Sequence, residues 1–312
     1  ACSRQMASCG WRPDGRTEAV ATLPTFDDVK EAAVRLDGQA IRTPLLRSSI
    51  LDERVGGTVL LKPEVLQRTG SFKFRGGYNA LASLPEDVRA RGVVACSSGN
   101  HAQGVAEAAR LFGVPATIVM PSDAPALKVA RTQRSGARVV SYDRVSESRD
   151  EIALKIVAET GADFVSPYDD NRVISGQGTV GLEIAAQAAE MGVAPVRVLV
   201  PCSGGGLSAG IALAVEALMP GARVMSVEPS GDKPGEITFA VNQPRLAGGL
   251  VVTDDEVRTA MRFAWEELKL VVEPGGAVAL AAILSGKLDM GQGPVVAVLS
   301  GGNADPATFA AA

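Results

Sequence analysis

Thr69-Gly70-Ser71-Phe72-Lys73-Phe74-Arg75-Gly76-Gly77-Tyr78-Asn79 sets one lysine between two phenylalanines, after a Gly-Ser turn and at the start of a predicted helix. A lysine flanked by aromatics at a strand-to-helix turn is poorly suited to the surface. Burial disfavours its charge and leaves a neutral, nucleophilic amine. Such an amine forms Schiff bases with carbonyl groups. The plain alternative is a snorkelling lysine whose stem lies along two core residues. Three other loops decide between the two.

Outward from this turn, short apolar strands alternate with helices. Strands are expected over 59–62, 93–96, 116–120, 138–142, 163–165, 196–200, 223–227 and 294–299. Helices are expected over 27–36, from Lys73 to 82, and to 112 after the Ser97 turn, where Val105, Ala109 and Phe112 share one face. Further helices are expected over 126–135, 148–160, 175–191, 206–218, 253–270 and 274–284, with Thr253-x-x-Glu256 as a capping box. Apolar strands alternating with helices predict parallel sheets covered on both faces. The expected fold class is α/β: two intertwined open parallel-sheet α/β domains. The smaller spans 91–165. The larger is discontinuous, 23–90 plus 166–312, and a cleft between them holds the ligand. Residues 1–22 lack periodicity and read as a disordered or appended arm.

The bulk numbers exclude several classes. Hydrophobic content is 46% over 312 residues, enough for a full core. The net charge of −4 argues against nucleic acid or an anionic membrane as the partner. Cys2, Cys9, Cys96 and Cys202 form no C-x-x-C pair, and the one histidine, His101, cannot anchor a zinc cluster. Nothing points to disulfides, so a reducing, cytoplasmic setting is expected. No apolar run reaches the ~18 residues that span a bilayer, and the N-terminal stretch has no apolar signal core.

Ser203-Gly204-Gly205-Gly206-Leu207 follows a strand and opens a helix. Backbone N–H groups at a helix start bind anions, and glycines let a phosphate approach. A competing reading exists. Gly204-x-Gly206-x-x-Ala209 satisfies the dinucleotide fingerprint, and Glu228 lies where a ribose-binding acid would sit, which would make an NAD(P)-binding oxidoreductase. That reading leaves the Lys73 turn without a job. Ser97-Ser98-Gly99-Asn100-His101 has the same strand–turn–helix placement. Its hydroxyls, amide and N–H groups suit the carboxylate of an amino acid, whereas N-capping alone needs one of them. His101 reads either as a general base or as a residue that shapes the turn. Ser300-Gly301-Gly302-Asn303 follows the last apolar strand, where a hydroxyl can meet a flat heterocycle edge-on. A plain strand-end turn is the alternative.

These segments together resemble the fold type II enzymes of pyridoxal 5'-phosphate (PLP), tryptophan synthase β-like in fold, and within them the threonine/serine dehydratase and serine racemase branch. Ser175-Gly176-Gln177-Gly178-Thr179 and Glu273-Pro274-Gly275-Gly276-Ala277 also resemble family segments. The likeness covers about residues 25–305. Cysteine synthases share the fold but typically carry a different lysine turn and an S-G-N-T loop. The resemblance implies that Lys73 holds PLP as a Schiff base and later moves the α-proton. It implies that Phe72 packs on the cofactor ring, Asn100 bonds the ring hydroxyl, Ser203, Gly204, Gly205, Gly206 and Leu207 hold the phosphate, and Ser300 meets the pyridine nitrogen. Ser97, Ser98, Asn100 and His101 surround the substrate carboxylate. Ser98 matches the racemase branch's second acid–base group. Tyr168-Asp169-Asp170 would line the side-chain pocket.

The implied activity is an ammonia-lyase that eliminates the β-hydroxyl of threonine or serine and yields a 2-oxo acid and ammonia. A neutral Ser300 partner favours prompt elimination over long-lived carbanions. Serine racemase and 3-hydroxyaspartate or phenylserine dehydratase are the alternatives on this scaffold, and a non-catalytic amino-acid sensor is a third class. The resemblance also implies a homodimer or higher homo-oligomer and a divalent-cation site for Mg²⁺ or Ca²⁺, with Glu228 as first ligand and Asp232 as second. The stretch from Pro229 to Pro234 is shorter than the family's, which puts that site in doubt. The chain ends soon after Ser300, so feedback through a C-terminal regulatory domain is not expected.

Overall fold

The computed structural model describes residues 22–229 and 234–310. Among the described residues ten strands form two sheets. They are β1 (Leu46–Arg47), β2 (Val59–Pro63), β3 (Val93–Cys96), β4 (Ala116–Pro121), β5 (Arg138–Tyr142), β6 (Asp163–Phe164), β7 (Arg197–Pro201), β8 (Arg223–Pro229), β9 (Leu246–Val252) and β10 (Val295–Leu299). The larger sheet runs β1-β2-β10-β7-β8-β9 and the smaller β5-β4-β3-β6. Every pairing is parallel except β1 with β2. The smaller sheet's strands all fall within 93–164, and the larger sheet draws on both flanks. This is the α/β architecture that the alternating pattern called for.

The helices are α1 (Phe26–Leu36), α2 (Ser49–Val55), α3 (Lys73–Ala82), α4 (Glu86–Ala90), α5 (Asn100–Phe112), α6 (Ala126–Arg134) and α7 (Arg149–Thr160). After them come α8 (Asn171–Glu190), α9 (Gly206–Leu218), α10 (Glu236–Asn242), α11 (Asp254–Glu266), α12 (Pro274–Leu284) and α13 (Pro306–Ala310). They cover the sheets because the central strands are apolar on both sides. In β10, Val295, Ala297 and Leu299 join the core under α11 and α12, while Val296 and Val298 join the core under α8 and α9. That is the period of two expected of a strand buried on both faces. Each of these valines, and Leu299, contributes roughly 1.5–3 kcal/mol by leaving water.

Helix α3 positions the lysine. Its Phe74, Tyr78 and Leu81 pack with Val93, Ala95 and Ile118 of the smaller sheet. On its other side Gly76 approaches α8 so closely that a Cβ would overlap the Gln177 side chain. A buried ion cluster pins its first turn. The Arg75 guanidinium reaches Glu64 Oε2 at 2.8 Å and Glu183 Oε1 at 2.7 Å, and Lys62 Nζ meets Glu183 Oε2 at 2.5 Å. Two cations face two carboxylates, so the cluster is neutral, as burial demands. Burial alone would raise the Glu64 carboxyl, but the Arg75 guanidinium holds it below the usual range.

The structure departs from the sequence reading in places. Helix α8 begins at Asn171, not Ser175, because the Asp170 side chain accepts from Arg172 N at 2.8 Å and caps it there. Strand β9 was not expected. It is a mostly solvent-facing edge with Gly248-Gly249 inside it, and its pairing with β8 slips between Val224 and Ser226. The arm expected over 1–22 lies, apart from Thr22, outside the described residues.

Candidate active site

Lys73 is the first residue of α3. Its Nζ stands 5.1 Å from the centroid of the Phe72 ring and donates to Pro167 O at 2.6 Å. Burial brings this amine down to about 8, with the Glu273 carboxylate pulling the other way. The turn before it is laced to the end of β10. Phe72 N donates to Ser300 O at 3.1 Å, Gly302 N donates to Gly70 O at 2.9 Å, and Ser71 pairs with Gly301. Ser300, 6% exposed, is thereby fixed beside the lysine turn.

Helix α5 brings the third loop. At Gly104 a Cβ would lie 2.9 Å from the Lys73 backbone, so glycine there lets α5 close on α3. Asn100 is the first residue of α5, and its Nδ2 donates to Glu273 Oε1. Asn303 Nδ2 donates to Asn100 Oδ1 at 2.8 Å. Ser97 and Ser98 lie partly buried in the turn, where Ser97 Oγ accepts from Gly99 N at 3.1 Å. His101 is 2% exposed, with Nε2 3.0 Å from Val165 O. Burial, then the nearby Lys73, lowers it to about 3. Buried and held by a backbone carbonyl, this imidazole is neutral and a weak proton acceptor.

The glycine loop caps α9. The Gly204 carbonyl accepts from Thr238 Oγ1 at 2.7 Å, and the Gly205 carbonyl accepts from Ser208 Oγ at 2.9 Å and Asn242 Nδ2 at 3.1 Å. With its carbonyls engaged by α10 and by α9 itself, the loop offers the orphan N–H groups of a helix start. Gly205 has φ +90°, which favours glycine. A Cβ on Gly204 would run into the Tyr168 ring. Tyr168 follows Pro167, whose carbonyl holds Lys73, so one short segment connects the glycine loop to the lysine.

Lys73, Phe72, Asn100 and Ser300 are therefore brought together, with the Ser97 turn beside them and Ser203 to Leu207 reached through Tyr168. Glu228 lies on the Ser203 side of the glycine loop. It lines a cavity of about 180 Å³ with Cys202, Ser203, Ser226 and Asn242. Among the described residues no group of three or more His, Cys, Asp or Glu side chains could hold a metal ion. Asp232 lies outside the described residues, so the expected cation pair is represented by Glu228 alone. No helix of the described residues is long and apolar enough to cross a membrane.

Sequence reasoning gave no role to Glu273 or Asn303. Glu273 precedes Pro274 and is the N-cap of α12, so its motif reads as a helix start and hides a carboxyl aimed at Asn100. Burial raises that carboxyl, against the Asn100 hydrogen bond. Asn303 was quoted only as the end of a glycine turn. Its position after two glycines at a strand end was the available signal.

These residues fit PLP. The lysine amine is enclosed and easily neutral, the anion cradle is backbone, and buried polar atoms beside the lysine, Ser71 Oγ and His101 Nδ1, have no protein partner. The comparisons with known proteins agree. The family model described as "Pyridoxal-phosphate dependent enzyme" matches residues 36–301. An L-threonine ammonia-lyase of Thermotoga maritima is 41% identical over 90% of this chain and 76% of its own. An L-threo-3-hydroxyaspartate ammonia-lyase of Saccharomyces cerevisiae is 38% identical over 92% of this chain and 96% of its own. The structure of maize serine racemase superposes with a TM-score of 0.87 at 35% identity, covering 93% of this chain and 97% of that one. The dinucleotide reading of the Gly204 loop is thereby overturned. From the buried lysine to the matched span of residues 36–301, the chain belongs to the pyridoxal-phosphate dependent enzyme family.

Proposed function

We propose that this protein is an ammonia-lyase that removes the β-hydroxyl and then the amine of a hydroxy amino acid, with threonine or serine as substrate. The observation that carries the reading is the Lys73 amine, brought down to about 8 and bonded to a carbonyl instead of a carboxylate. PLP, when bound, supplies the electron sink for the α-carbanion. The protein supplies the rest.

In this reading Lys73 holds the cofactor and, once released, moves the α-proton as a base whose neutral form is accessible near neutral pH. The N–H groups at the start of α9, with Ser203 to Leu207, hold the phosphate. Phe72 packs on the ring, Asn100 donates to the ring oxygen and Ser300 faces the pyridine nitrogen. Ser97, Ser98 and the first N–H groups of α5 take the substrate carboxylate, and His101 supports that turn from behind. Tyr168 borders the side-chain space. A Mg²⁺ or Ca²⁺ ion at Glu228 and Asp232, a homodimer or larger assembly, a cytoplasmic setting and a two-domain division at 90/91 and 165/166 belong to the same proposal.

The test is release of 2-oxo acid and ammonia from L-threonine, L-serine, 3-hydroxyaspartate and phenylserine by the PLP-loaded protein, with Lys73→Ala as control. Turnover of threonine or serine that vanishes in the control supports the reading. Turnover of 3-hydroxyaspartate alone would move the substrate to an acidic side chain. No turnover of any of the four would leave a binding protein.

A second reading, serine racemisation, is favoured by Ser98, at the position that the family resemblance assigns to a second acid–base group, and by the similarity to serine racemases. A serine hydroxyl is a poor acid–base group unless its surroundings activate it, and burial keeps the His101 imidazole, one nitrogen of which is held by Val165 O, from taking up a proton. Elimination therefore ranks first.

A further inference from the structure

The carbonyl of Thr69, the two asparagines Asn303 and Asn100, and the Glu273 carboxyl form a directed hydrogen-bond chain that ends at the cofactor site. Its direction is set at Asn303. Arg131 of α6 reaches Asn303 Oδ1 through Nη1 at 2.9 Å, and a guanidinium only donates. On the other side Asn303 Nδ2 meets Thr69 O at 2.7 Å, and a carbonyl only accepts. The two partners permit one orientation of that amide. Its second Nδ2 hydrogen goes to Asn100 Oδ1 at 2.8 Å. Asn100 is then also fixed, with its Nδ2 turned to Glu273 Oε1. An amide nitrogen carries two hydrogens, so one remains for a ligand oxygen.

Three backbone positions serve this chain. Thr69 has φ +65°, a left-handed conformation that is an outlier for a β-branched residue, and its carbonyl is the one Asn303 meets. At Gly70 a Cβ would lie 2.9 Å from Asn303 Oδ1. At Gly301 a Cβ would overlap Glu273 Oε1 and lie 3.0 Å from Asn100 Nδ2. A strained residue and two missing side chains converge on one row of amides.

We propose that Asn303 is a positioning residue that locks the Asn100 amide so that one Nδ2 hydrogen is presented to the ring oxygen of PLP. The proposal rests on the reading that PLP is held at Lys73, and it adds that a residue with no place against the cofactor sets the hydrogen bonding of one that has. Without the Asn303 donor, the Glu273 bond alone keeps the Asn100 amide from turning over. Turned over, the amide would set its Oδ1 against the ring oxygen, acceptor against acceptor.

Asn303→Asp tests this with no change of shape. The carboxylate still accepts from Arg131, but it can donate neither to Asn100 Oδ1 nor to Thr69 O, so Arg131→Met, which keeps both donors, is read beside it. The carboxylate attracts the Asn100 Nδ2 instead and reverses the chain. The readouts are the visible absorption of the PLP-loaded protein without substrate, borohydride trapping at Lys73, thermal midpoint, kcat and KM. The expected result is a band displaced in the same direction as in Asn100→Ala, with PLP still trapped at Lys73. The expected kcat loss is about tenfold, the worth of one hydrogen bond, with KM held within about twofold. Arg131→Met removes one of the two locks and gives a smaller displacement of the same sign. It serves alone if Asn303→Asp does not fold. A wild-type spectrum in Asn303→Asp, or in Arg131→Met where the first variant is lost, beside a displaced one in Asn100→Ala would overturn the proposal. A wild-type protein without visible absorption or trapped PLP would instead overturn the cofactor reading on which it rests.

Discussion

In the proposed reading Lys73 acts as a base because of where it sits. Its amine titrates at about 8, lowered by burial and held up in part by Glu273. Only the neutral amine attacks the PLP aldehyde. Capture of PLP by the cofactor-free protein should therefore accelerate roughly tenfold per pH unit below about 8 and level off above it, since the neutral fraction rises and then saturates. Stopped-flow absorption checks this. In Glu273→Gln the supporting carboxylate is gone, so the midpoint should move below that of the wild type. An unmoved midpoint would show that Glu273 carries no charge that Lys73 feels. Ser98 gives a second prediction at this scale. Chiral separation and pyruvate assay on L-serine should show pyruvate outrunning D-serine. D-serine forming faster, and vanishing in Ser98→Ala, would reverse the ranking of elimination over racemisation.

At the scale of elements, the site depends on close crossings and on one buried ion cluster. Helices α8 and α9 meet through glycine. At Gly210 a Cβ would lie 2.5 Å from Gly178 N, and the helix backbone cannot step aside as a side chain would. Gly210→Ala should cost on the order of 1–3 kcal/mol, as overpacking does, and lower the thermal midpoint. Arg75→Met leaves the Glu64 and Glu183 carboxylates facing each other without the guanidinium. Breaking such a cluster costs about 3–5 kcal/mol, and denaturant titration should show it. The Glu64 carboxyl is depressed in the folded state, so its stabilisation is complete above 4.5, its ordinary value, and fades as pH falls below that. Much of this layer was legible. The strands of β2, β3, β7 and β10 were marked by apolar runs, and α11 by its Thr253–Glu256 capping box, which the structure shows. What escaped was weak in pattern for physical reasons. Strand β9 is an exposed glycine-bearing edge, and α10 is a seven-residue helix anchored by the Asp169 carboxylate, which accepts from Ile237 N at 2.8 Å. That anchor is 68 residues away in sequence, beyond any local signal. The candidate site was legible as motifs at Lys73 and Ser203 to Leu207, which the structure joins through Pro167 and Tyr168. It was silent where a role depends on a distant partner, as with Glu273 and Asn303.

Across the whole molecule, the loops that matter follow β2, β3, β7 and β10, at the carboxyl ends of parallel strands, where such sheets place their ligands. The lysine turn is joined to the β10 loop by backbone bonds, to the α5 turn through Gly104, and to the glycine loop through Pro167 and Tyr168. A ligand that touches all four should tighten the fold. Saturating PLP should raise the thermal midpoint by an amount that grows with its concentration over its dissociation constant, and Lys73→Ala should lose most of that rise. In the proposed function everything turns on Lys73 carrying the cofactor. Borohydride reduction of the PLP-treated protein, followed by peptide mass analysis, tests it most directly. A pyridoxyl group on Lys73, at one per chain, is expected. A label on Lys62 or Lys128 instead, or no label at all, would contradict it.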